Sequence, residues 1–115
     1  MASTFPYYFS DGDRDVPSSA PLIGTETEIC DAISDLRSAK GNFLGFETPD
    51  GTLQFYSEGR GKWLVDVPLP ERAGSLQCIV TLDPMDDVRV KLVQAVFRGT
   101  KVTALPGLEF KLWKP

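Results

Sequence analysis

NFLGFETPDGTLQFYSEGRGKWLVDVPLPERAGSLQCIVTL, from Asn42 to Leu82, decides the fold. Apolar residues recur here with a period of two: Leu44/Phe46, Leu53/Phe55, Trp63/Val65/Val67 and Leu76/Cys78/Val80/Leu82, each set alternating with mostly polar neighbours. Successive side chains of a strand point to opposite faces, so this alternation predicts four antiparallel strands with one buried face. The interruptions carry turn chemistry. Pro49-Asp50-Gly51 supplies a fixed φ followed by a permissive glycine, and Glu58-Gly59-Arg60-Gly61 supplies two glycines between strands, so both read as hairpin connections. Pro68-Leu69-Pro70 is expected to stop the third strand, because proline cannot donate to a ladder.

The flanks switch to helical spacing. Upstream, Thr25 with Glu28 three residues on forms a capping box that starts a helix near Glu26. Ile29, Ala32, Ile33 and Leu36 make its apolar stripe, with Glu28, Asp31, Asp35 and Arg37 on other faces; Lys40-Gly41 is the stop signal, giving about four turns. Downstream, Asp83-Pro84 reads as N-cap and first residue of a second helix, with Asp86 and Asp87 favoured by the dipole and Gly99 at its end. Met85, Val88, Leu92, Ala95 and Val96 form its apolar stripe, Met85 as core, leaving Arg89, Lys91 and Arg98 outside. Leu108, Phe110 and Leu112 alternate with Glu109 and Lys111 in a last strand ending at Trp113. Before the first helix, Phe5, Tyr7, Tyr8 and Phe9 precede Ser10-Asp11-Gly12-Asp13 and Pro17-Ser18-Ser19, predicting a short edge strand and a loop over 1–24.

The order β, α, four β, α, β over 115 residues fits one domain, 1–115, with an α-β-β-β-β-α-β body over 25–115. Two amphipathic helices cover one sheet face, so the expected fold class is an α+β two-layer sandwich: an antiparallel sheet of about five or six strands with two helices on one face. The opposite face is then free, and the alternation assigns to it Gln54, Tyr56, Leu64, Asp66, Gln77, Ile79, Thr81, Glu109 and Lys111. Tyr56, Leu64 and Ile79 are more apolar than plain solvent contact requires.

Composition narrows the function classes. Hydrophobic residues at 42% and charged residues at 24% are globular values that call for no cofactor to fold. No apolar run is long enough to span a membrane and residues 1–15 resemble no signal peptide, so the expected location is cytoplasmic, with no membrane partner. A net charge of −4 argues against direct nucleic-acid binding. Residues 1–50 carry nine acids against Arg14, Arg37 and Lys40, a balance of −6, while 51–115 carry seven acids against nine bases. The acidic first part favours a basic partner.

No catalytic signature survives inspection, and the expectation is a protein that is not an enzyme. The chain has no histidine, which removes Ser-His-Asp and Cys-His arrangements and most zinc ligand sets. Gly59-Arg60-Gly61-Lys62 lacks the phosphate loop's first glycine (Tyr56 stands there) and its Ser or Thr (Trp63), so a hairpin turn is expected. Asp11-Gly12-Asp13-Arg14-Asp15 alternates like a calcium loop, but Val16 and Leu22 occupy the required glycine and glutamate positions, leaving a solvated turn and no metal. Cys30 and Cys78 read as buried thiols, Cys78 on the core face with a raised pKa. Tyr56 and Asp66, expected on one face, are the acid–base pair an enzyme reading would use.

Pro49-Asp50-Gly51-Thr52-Leu53-Gln54-Phe55-Tyr56, Lys62-Trp63-Leu64-Val65, the Asp83-Pro84 helix and Leu108 to Trp113 resemble bacterial polymorphic-toxin immunity proteins, the group paired with deaminase toxins in particular. The similarity covers Glu26 to Trp113 as an order of elements and transfers no functional residue. It implies a cytoplasmic protein that binds a cognate secreted antibacterial toxin and occludes its active site. The alternative is a secretion chaperone or adaptor that binds an effector without inhibiting it. For either partner, the residues expected to make contact are Tyr56, Asp66, Glu109 and the acids of the first helix, Asp31 and Asp35. Oligomeric state is not predicted.

Overall fold

The computed structural model describes residues 3–83 and 85–113. It is an α+β domain in two layers: one antiparallel sheet, and two helices packed on a single face of it. The strands are β1 (Phe5–Ser10), β2 (Asp15–Val16), β3 (Leu22–Gly24), β4 (Phe43–Thr48), β5 (Gly51–Gly59), β6 (Lys62–Leu69), β7 (Gly74–Thr81) and β8 (Glu109–Leu112), with helices α1 (Glu26–Asp35) and α2 (Val88–Phe97). They run in the order β2-β1-β4-β5-β6-β7-β8, and β3 continues the edge beside β1. Among the described residues no helix is long and apolar enough to cross a membrane.

The four strands expected over 42–82 are β4 to β7, joined as hairpins. At the Arg60-Gly61 turn, Arg60 (φ 56°) and Gly61 (φ 79°) both take the left-handed conformation, whose backbone twist matches that of the flanking strands. Their even-spaced apolar residues all enter one core: Leu44, Phe46, Leu53, Phe55, Trp63, Val65 and Val67 pack against Ile29, Ile33, Leu92, Val93 and Val96 of the helices. The capping box forms as expected, with Glu28 N donating to Thr25 Oγ1 (3.3 Å) and Thr25 N to Glu28 Oε1 (2.9 Å). Asp11 caps the polar turn, accepting from Asp13 N (3.0 Å) and Arg14 N (2.7 Å).

The sheet is larger than the expected five or six strands, because the N-terminal segment builds into it. β1 is interior, not an edge: β4 lies on one side, and β2 and β3 lie end to end on the other. Its Tyr7 and Phe9 join the core, and Phe5 stacks on Phe46 and packs tilted against Phe97. β6 continues through Pro68 to Leu69, where a stop was expected. The β5–β6 ladder runs only as far as Gln54 opposite Asp66, so the proline interrupts no β5–β6 pair.

Both helices differ from expectation in extent. α1 ends at Asp35, about three turns in all, with Leu36 extended (ψ 115°). The following connector is tied down by Asn42 Nδ2 donating to Arg37 O (3.0 Å) and Gly61 N to Ser38 Oγ (2.8 Å). α2 starts at Val88 with Asp87 as its N-cap, not at Asp83; Pro84 lies outside the described residues. Asp83 instead accepts from Met85 N (2.8 Å) in a turn, and Met85, expected in the core, is 92% exposed. The buried face of α2 is Arg89, Leu92, Val93 and Val96, rotated from the expected stripe.

Arg89, expected outside, is therefore buried, and its partners explain why. Its guanidinium donates from Nε and Nη2 to Asp87 (2.9 and 2.7 Å) and from Nη1 to the Leu36 carbonyl (3.1 Å), and lies 4.5 Å from the Trp63 ring centroid. α1 has no basic residue in its last turn, so α2 supplies the cation that the carboxyl end of α1 attracts.

Candidate functional site

The face away from the helices is where the remaining chemistry collects. Strand pairing sorts its side chains into parallel rows. One row runs Phe43, Tyr56, Leu64, Ile79 across β4 to β7. The next runs Tyr8, Gly45, Gln54, Asp66, Gln77, Glu109 from β1 to β8, six strands in register and about 24 Å end to end at the usual strand spacing. All nine residues that the alternation assigned to this face lie on it or at its margin.

The first row is apolar and uncovered. Tyr56 is 36% and Ile79 56% exposed, and Phe43 packs on Tyr56 with ring centroids 5.5 Å apart. Leu64 lines two open depressions, one of about 320 Å³ shared with Gln77, Ile79, Glu109 and Lys111, the other of about 360 Å³ shared with Lys40, Tyr56 and Glu58.

The second row is polar and packed. Gly45 lets the Tyr8 ring lie flat across β4, since a Cβ there would sit 2.6 Å from the ring. Tyr8 is thereby almost fully buried on the uncovered face, with Phe43 edge-on at 6.3 Å, and its hydroxyl accepts a bond from Gln54 Nε2 (2.8 Å). Gln77 Nε2 donates to Asp66 Oδ1 (2.8 Å), and Asp66 is only 7% exposed. Burial pushes the Tyr56 phenol above its usual range, helped by the Asp66 charge. The Tyr8 phenol is also raised, by burial first, against the lowering effect of the Gln54 bond. At the far end Trp113, 44% exposed, donates from Nε1 to Ser75 Oγ (2.9 Å).

Of the five residues expected to contact a partner, three share this face. Tyr56 is exposed, Glu109 is exposed and 3.8 Å from Lys111, and Asp66 is recessed between the glutamines. Asp31 and Asp35 are exposed on α1, in the other layer, so one partner surface does not cover both groups. Cys78 is half-buried, with its thiol raised by burial; Cys30 is half-buried too, raised by burial and then by Glu26. Tyr8 and Phe43 were not singled out from the sequence. The alternation Phe5-Pro6-Tyr7-Tyr8-Phe9-Ser10 carries the signal for Tyr8, which falls on the opposite face from Tyr7 and Phe9.

Comparison with protein-family models, with curated proteins and with solved structures gave no match.

Proposed function

We propose that this domain is a protein-binding module whose uncovered sheet face captures a partner, and that the partner is a cognate antibacterial toxin whose active site it occludes. The observation that carries the binding reading is the Phe43–Tyr56–Leu64–Ile79 row, in which Tyr56 and Ile79 are exposed and Phe43 and Leu64 half-buried, set beside a packed polar row on a face that neither helix covers. An apolar, aromatic centre with polar groups around it is the usual anatomy of a specific interface. The toxin as partner rests on the resemblance to immunity proteins and on the acidic first half of the chain.

The test is co-expression with the product of the adjacent upstream gene. The native chain restores growth, and a Leu64→Asp, Ile79→Asp chain that still folds does not. No rescue and no complex would refute the immunity reading. A stable complex whose partner keeps full activity would replace it with the adaptor reading. Charge reversal at Asp31 or Asp35 slows association through long-range steering, while Tyr56→Ala speeds dissociation.

A further inference from the structure

We infer that the polar row of the uncovered face is a binding strip for an arginine side chain of the partner protein. This rests on the reading of that face as the partner surface, and it names the chemistry that the face selects. An ionised carboxylate only accepts hydrogen bonds, so Gln77 must turn its NH2 group to Asp66, which leaves its Oε1 on the other side of the amide. Gln54 commits Nε2 to Tyr8, leaving its own Oε1 free in the same way. Asp66 Oδ2 accepts no bond from a described residue and is not sealed from solvent. Three neighbouring strands thus carry, in one cross-strand row, three oxygens that accept no bond from a described residue: Gln54 Oε1, Asp66 Oδ2 and Gln77 Oε1.

The charge of the strip is unanswered. Asp66 is more than nine-tenths buried yet forms no ion pair among the described residues, and Lys111, beside the row, already faces Glu109. A recessed carboxylate with one neutral donor gains from a cation that brings further N–H groups. Strands stand about 4.8 Å apart, and a guanidinium, with five N–H donors in a fixed planar fork, can bond Asp66 and an oxygen beside it while laying a flat face on a ring, whereas an ammonium has neither the fork nor the face. The Tyr56 ring and Leu64 next to the row offer a surface for the aliphatic stem and the guanidinium face.

The experiment titrates 15N-labelled full-length protein with N-acetyl-arginine amide, its lysine analogue and its uncharged citrulline analogue, following the side-chain NH2 resonances of Gln54 and Gln77. Arginine gives a saturable shift in both, lysine and citrulline bind about tenfold more weakly or not at all, and Asp66→Asn weakens arginine by about tenfold, the effect of one charge-assisted bond. Gln54→Leu, which leaves the carboxylate in place, weakens arginine several-fold. Citrulline or lysine matching arginine, or both variants binding as the native chain does, would overturn the proposal. A negative titration with partner capture intact removes the strip and leaves the binding face. The converse, arginine bound and no partner captured, removes the wider reading.

Discussion

Replacing Arg89 with methionine tests the account of how the two layers are joined. The substitution keeps an unbranched apolar stem under α2 and removes the guanidinium. Three losses follow: Asp87 gives up two bonds at 2.9 and 2.7 Å, the Leu36 carbonyl loses its donor at 3.1 Å, and Trp63 loses the cation over its ring. Asp87 is a quarter exposed, so water restores part of what it loses, and its share is about 1 kcal/mol. The orphaned carbonyl costs about 1 to 2 kcal/mol and the ring contact about 1. Relief from burying a charge offsets some of this, leaving a destabilisation of about 3 kcal/mol. In urea at pH 7 that moves the midpoint down by about 2 M at unchanged slope, for a slope near 1.5 kcal/mol/M. Adding Asp87→Ser keeps a helix cap while removing the stranded carboxylate, and recovers about 1 kcal/mol. A single variant within 1 kcal/mol of the native chain, or a double variant no more stable than the single, refutes the reasoning.

The same packing sets two further outcomes. All three tyrosines have phenols raised above the ordinary 10.0 by burial. A raised folded pKa means stability that is complete below pH 10 and lost as pH climbs through the folded values. Phenolate absorbance of the native protein should therefore appear above pH 10, with unfolding midpoints falling over the same range; three phenols ionising at 10 or below would contradict the packing. Gly45→Ala forces the Tyr8 ring off β4, costing about 1 to 3 kcal/mol in thermal denaturation and breaking the Gln54–Tyr8 bond; an unaltered Gln54 NH2 resonance would refute the close approach.

The sequence speaks most clearly where neighbours along the chain carry the information. Alternation over 42–82 and the Thr25–Glu28 box are local patterns, and both hold. The start of α2 is not local: Asp83 and Asp87 are equally able caps, and the choice falls to Asp87 because Arg89 finds the Leu36 carbonyl 53 residues away and Trp63 beneath it. The same distant contacts rotate the buried stripe and leave Met85 in solvent. At the site, the period placed Tyr56, Asp66 and Glu109 on one face. Only pairing across six strands shows that Tyr8 belongs to the same row as Asp66, whereas the separate layer of Asp31 and Asp35 already follows from placing both helices on the covered face.

The two-residue period of β5, β6 and β7 has a consequence for how such a domain changes over generations. Leu53, Phe55, Trp63 and Val65 hold the fold, while Gln54, Tyr56, Leu64 and Asp66, interleaved with them on the same strands, face outward. Substitutions at even-numbered positions of β5 and β6 alter the chemistry of the uncovered face and leave the interior intact. A lineage under pressure to follow a changing partner can rewrite half of each strand without re-solving the other half.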